Sequence, residues 1–186
     1  MAPSRVTGLI ARHKKAVAAL LVLGIGLAVF VLVWFQPQKL FLDTVVDEAD
    51  PVAAEESADP SASGEPRNPK PQSRVLAEGE FIPYDHAVRG SAKVIELADG
   101  RRVLRFEDFE TSNGPDVVVY LSSAPAAVDD DDRFTDDFLD LGAIKGNVGN
   151  QNYDLPASAD LDRYRSVVIW CRRFTVAFAA APLDFT

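Results

Sequence analysis

From Ala16 to Phe35 the chain runs for 20 residues without a charge, AVAALLVLGIGLAVFVLVWF. As a helix rising about 1.5 Å per residue this run would be about 30 Å long, the thickness of a bilayer's hydrocarbon core. Trp34 and Phe35 close it, as aromatic residues do at the level of the headgroups. A cleaved signal peptide would have a shorter apolar region and a small-residue cleavage pattern, and Gln36-Pro37-Gln38-Lys39 has none. A buried core helix is disfavoured because the run is apolar on every side. The sequence therefore predicts a transmembrane α-helix over 16–35 behind a cytoplasmic tail of 1–15.

Orientation follows from charge. Arg5, Arg12, Lys14 and Lys15 precede the span and no acidic residue does, which holds the tail in the cytoplasm and sends the rest outside. Taking those four charges from the net charge of −9 leaves −13 on residues 16–186. A surface that acidic repels nucleic acid and anionic headgroups. The expected partners are the membrane, through the helix, and an extracytoplasmic redox or surface protein; nucleic acid is excluded.

Residues 36–74 read as a flexible acidic, Pro-rich linker. Leu40, Phe41, Val45 and Val46 fit a short helix lying at the membrane surface. The stretch from Ala49 onward is rich in Pro, Ala, Ser and Glu, too poor in apolar surface to offset its ordering entropy. As a coil, the linker would hold a domain roughly 30–40 Å from the bilayer.

Residues 75–186 alternate as strands do. Asp99-Gly100 reads as a two-residue hairpin turn that pairs Leu97 with Arg102, Ile95 with Leu104 and Lys93 with Phe106, and puts Ile95, Leu97, Leu104 and Phe106 on one buried face. After the turn Asn113-Gly114-Pro115-Asp116, Val117 to Leu121 is apolar on both faces, as in a central strand. Asp129 to Asp137 reads as a solvated acidic loop, Leu139–Ile144 and Tyr153–Leu155 as short strands, Ser158–Arg163 as a helical turn, and Ser166–Phe178 as one long strand. No helix of useful length is expected after residue 49. Short strands at intervals of about ten residues predict an all-β, antiparallel β-sandwich of jelly-roll-like form.

The segments GEFIPYDHAVRGSAKV, LRFEDFETSNGPDVVVYLS, IKGNVGNQNYDLP and YRSVVIWCRRFTVAFAAAPL resemble the DM-thirteen domain, found beside DOMON domains in Skeletor-type proteins and alone in bacteria. The resemblance covers about residues 75–183, with NGPD and VxIWCxRF its more specific motifs. It implies a β-sandwich and an electron-transfer role through the cysteine that here is Cys171. The YDHAVRG segment matches the family's His-to-Gly pattern and marks His86.

Cys171 is the only cysteine and cannot staple its own domain. By alternation it shares a face with Val167, Ile169, Thr175 and Ala177. It reads either as a small buried hydrophobe or as a thiolate tuned by Arg173, since Arg172 points to the opposite face. His86, the single histidine after the span, reads as a turn residue or as a group that tunes the thiol. Covalent c-type haem is excluded by the missing C-x-x-C-H, and Met1 is the only methionine. Zinc and copper sites want three or four His or Cys ligands. No cofactor is identifiable, and haem or a single metal ion through Cys171 and His86 stays open. The acidic run could hold calcium but lacks the alternating ligands, the glycine and the final glutamate of an EF-hand loop. Two functions remain: a membrane-anchored extracytoplasmic redox module working through Cys171, or a binding or structural module in which Cys171 is core.

Overall fold

The apolar run and the alternating segments fold as two distinct kinds of structure. The computed structural model of the chain describes residues 13–37, 42–57, 72–128 and 130–185. The apolar run forms α1 (Lys14–Trp34), long and apolar enough to cross a membrane and buried nowhere against the rest of the chain. The alternating segments form β1 (Arg74–Glu80), β2 (Ile82–Pro83), β3 (Val88–Glu96), β4 (Arg102–Thr111), β5 (Val117–Ser122), β6 (Phe138–Ala143), β7 (Gln151–Leu155), β8 (Ser166–Cys171), β9 (Val176–Pro182) and β10 (Asp184–Phe185).

These strands pair antiparallel in two five-stranded sheets, in the orders β10-β1-β3-β4-β7 and β2-β9-β8-β5-β6. The expected antiparallel β-sandwich is what the chain builds. Its core lies between the sheets, where Leu104, Phe106 and Phe109 of the first, with Phe81 from the link between β1 and β2, meet Val119, Leu121, Val167, Ile169 and Phe178 of the second. β5 and β8 are buried on both faces, as their unbroken apolar sequences require.

The β3–β4 hairpin differs from expectation by one residue. Glu96 pairs with Arg102, Ile95 with Val103 and Lys93 with Arg105. The loop is longer than two residues: Leu97 N–H donates to the Arg101 carbonyl, and Gly100 takes a positive φ of +85°. A three-residue loop closed by a left-handed glycine is the next most common hairpin geometry. Because side chains alternate, the slip turns Ile95 and Leu97 to the outer face with Val103, while Val94, Leu104 and Phe106 fill the core.

What covers that outer face was not expected. Residues 42–50, read as part of a flexible tether, run extended along the loop before β7. Val46 N–H donates to the Val148 carbonyl and Glu48 N–H to the Asn150 carbonyl, each at 2.9 Å. Thr44 N–H donates to Asn147 Oδ1 at 2.7 Å. A side chain on the loop would block this strap: a Cβ at Gly146 would lie 2.4 Å from the Thr44 carbonyl oxygen, and one at Gly149 2.0 Å from that of Val46. The strap continues into α2 (Pro51–Ser57), which sets Val52 on Ile95, Leu97 and Val103. Arg105, only 5% exposed on the same face, donates to the carbonyls of Glu48 and Ala49 and to Asn152 Oδ1. Composition pointed to a coil because the strap is held through its backbone rather than by apolar side chains. No surface helix forms over 42–50, Leu40 and Phe41 of that expectation lie outside the described residues, and so does 58–71 of the linker.

Candidate functional site

The segment read as one long strand is a hairpin. β8 ends at Cys171, residues 172–175 turn, and β9 returns from Val176, so that Cys171 pairs with Val176 on one side and with Val117 of β5 on the other. The alternation Val167, Ile169, Cys171 holds, and all three side chains point into the core. It does not carry on past the turn: Ala177 lies on the outer face of the second sheet. The Cys171 side chain is fully buried and unpaired, and among the described residues its sulfur takes part in no hydrogen bond.

Arg172 keeps the direction expected of it and the turn redirects Arg173. Arg172 faces outward, where it donates to the Tyr120 hydroxyl at 3.1 Å and pairs with Asp140. Arg173, expected beside the sulfur, instead reaches α1: its Nη1 donates to the Trp34 carbonyl at 2.8 Å, and the guanidinium lies 4.3 Å from the centroid of the Trp34 ring. A residue in a turn is released from strand alternation, so spacing from Cys171 did not fix its direction.

His86 sits in the loop between β2 and β3. Its Nδ1 is 2.6 Å from Ser112 Oγ, and its ring lies on Phe178 with centroids 3.7 Å apart. Burial lowers its pKa from the usual value, against the opposing charge of Asp85, which favours the neutral imidazole. Phe178 belongs to the same core cluster as Cys171 and Val117. His86 and Cys171 thus come to the same end of the sandwich, yet no hydrogen bond joins them among the described residues.

The acidic run is ordered where it is described. Asp131–Thr135 forms a 3₁₀ turn that carries the fully buried Phe134. Carboxylate oxygens of Asp130, Asp131 and Asp132 lie within 4.8 Å of one another. Two of these residues already serve the backbone, Asp130 accepting from Asp132 N–H and Asp131 from Ala177 N–H.

With this geometry in place, the comparison with known families is decisive: the family described as electron transfer DM13 matches residues 80–183. The chain belongs to it. No curated protein and no solved structure gives a match. The DM13 match spans the strands from Glu80 to Leu183, with His86, Cys171 and Arg173 inside it, and it leaves out α1, the strap and most of β1. Membership assigns the DM13 domain to the electron-transfer class. Sequence reasoning missed Ser112 as the partner of His86, and it missed the strap. The signal for the strap was Gly146-Asn147-Val148-Gly149-Asn150, a loop of glycines and asparagines suited to receiving another backbone.

Proposed function

We propose that this DM13 chain is a membrane-anchored, extracytoplasmic electron-transfer module in which Cys171 is the working thiol. Supporting it are the apolar α1 with basic residues before it, the family's electron-transfer class, and the place of Cys171 as the last residue of a central strand, next to a turn. That last observation carries the mechanism. On this reading, opening of residues 172–175 frays the final rung of the β8–β9 pair and gives a partner access to the sulfur, while the rest of β8 stays in place. The thiol then loses its proton and attacks a disulfide of an extracytoplasmic partner. A mixed disulfide forms as the partner's own S–S bond breaks, and the partner's second sulfur leaves as a thiolate.

A second reading rests on a specific observation as well. The sulfur is wholly enclosed by apolar side chains without a polar partner, which is the environment of an inert structural cysteine. On that reading the domain is a binding or structural module.

The two are separated by labelling Cys171 across pH in the full chain, with and without denaturant. The full chain is required because the strap packs on the domain. Labelling of the native protein at a rate set by local opening supports the redox module. Labelling that appears only on global unfolding makes Cys171 packing and leaves the binding module.

A further inference from the structure

The β8–β9 turn meets the end of α1. Besides the Arg173–Trp34 contact, Phe174 stacks on Phe35 with ring centroids 6.4 Å apart. These rings close one side of a cavity of about 220 Å³, lined also by Pro37, His86, Asn113 and Phe178. Phe35 and Phe174 are 44% and 47% exposed, so aromatic surface rims the cavity at the very level where the apolar helix stops. The strap keeps it there. Only residues 38–41 separate Pro37 from Leu42, whose carbonyl accepts from Asn113 Nδ2, and the five steps from one to the other reach at most about 18 Å. The long tether that would let the domain leave the bilayer is absent from this side of the strap.

Inside the cavity the notable polar group is His86. Ser112 engages Nδ1, and among the described residues Nε2 has no hydrogen-bond partner. Where the Ser112 hydroxyl donates to Nδ1, the neutral ring carries its proton on Nε2 and offers it to an acceptor; in the other tautomer Nδ1–H donates to Ser112 and Nε2 accepts.

We propose that this cavity binds the head group of a quinone-class ligand drawn from the bilayer; the proposal rests on the membrane-anchored electron-transfer reading. Location supplies the source, because a ligand arriving beside the end of α1 comes from the lipid phase. Shape supplies the head: the volume is below the roughly 300–1,000 Å³ of sites that enclose drug-sized molecules, so it takes one ring and leaves an alkyl tail outside. The aromatic walls of Phe35, Phe174 and Phe178 suit a flat ring, and His86 Nε2 suits a ring oxygen, as donor to a quinone carbonyl in one tautomer or acceptor from a quinol hydroxyl in the other. A phospholipid phosphate fits less well, since the cation at the rim, Arg173, is engaged by Trp34. Binding here needs no chemistry at Cys171.

The test uses the full chain in lipid nanodiscs, titrated with decylubiquinone while tryptophan fluorescence is followed. Trp34 immediately precedes Phe35 of the cavity wall and reports its filling. The expected result is saturable quenching that Trp34→Phe removes, with His86→Leu weakening the apparent affinity about five- to tenfold for one lost hydrogen bond. Phe174→Ser, at an exposed position, weakens it about as much with an unchanged unfolding midpoint. Quenching that rises linearly with quinone and is the same in the native chain, His86→Leu and Phe174→Ser is partition into the bilayer and overturns the proposal. So does saturation indifferent to both His86→Leu and Phe174→Ser, which places the ligand elsewhere. Repeating the titration with Cys171→Ala separates the two readings: saturable binding there, beside a thiol that labels only on unfolding, keeps the cavity and removes the thiol mechanism.

Discussion

The two sheets cover their outer faces in opposite ways. The second sheet is covered by its neighbour in sequence: residues 123–135 leave β5 and place Phe134 with Val118, Val168, Trp170 and Ala180, braced edge-on by Tyr84. The first is covered from far away, by Val52 on Ile95, Leu97 and Val103 and by the carbonyls of Glu48 and Ala49 on Arg105. One cover is apolar and wholly enclosed; the other is mostly backbone and polar groups, with a half-buried valine at its centre. The first belongs to the sandwich's own stability. The second is an attachment whose loss leaves the core between the sheets intact. The DM13 match includes the local cover and omits the remote one.

The sharpest way to break this contrast is Phe134→Ala. Emptying a fully buried phenylalanine site costs about 3–5 kcal/mol. Denaturant unfolding of the full chain should show one cooperative transition at much lower midpoint. A loss under about 1 kcal/mol would mean that the local cover is no more integral than the remote one. Gly149→Ala comes next. The residue has φ +103°, and a Cβ would press on the Val46 carbonyl, so the strap must lift or the loop must strain. The cost is about 1–3 kcal/mol. Its signature is local, with limited proteolysis cutting within 42–57 while the DM13 segment 80–183 survives. Global unfolding instead would make the strap part of the core.

The sequence announced the sandwich because its strands alternate, and Asn113-Gly114-Pro115-Asp116 announces β5 because those residue types favour turns. The β8–β9 turn gave no such signal. Arg172-Arg173-Phe174-Thr175 contains neither glycine nor proline, and Thr175 itself takes the positive φ, +53°, that a glycine would have advertised. At the site, the inward direction of Cys171 was legible from Val167 and Ile169. The directions of Arg173 and His86 were not, since α1 holds one and Ser112 the other, and both contacts depend on topology rather than spacing. The strap stayed hidden for the same reason: its slots at Gly146 and Gly149 lie about a hundred residues beyond it in sequence.

Smaller changes sharpen the contrast from the strap's side. Val52→Ala removes two carbons from a half-buried site and should cost about 1 kcal/mol in thermal unfolding, well short of Phe134→Ala. An equal cost for the two would erase the distinction between covers.

Glu48→Gln gives the smallest effect and the most diagnostic one. Burial raises the pKa of Glu48, but the Lys145 ammonium at 2.7 Å, the Asn152 N–H and Arg105 together outweigh it, and the folded value lies below the ordinary 4.5. A carboxylate with a lowered folded pKa stabilises fully above its unfolded value, and that contribution is lost as pH falls through the folded one. The pair is about a third exposed, so water limits the gain to below about 1 kcal/mol. The difference in unfolding free energy between the native chain and Glu48→Gln should therefore be constant at neutral pH and close between roughly pH 5 and 3. Salt should shrink it as well. A difference that persists at pH 3 would show that hydrogen bonds, which glutamine keeps only in part, hold the strap instead of charge. In that case acid alone would not lift the strap, which would stay on the first sheet down to the pH where the sandwich itself unfolds.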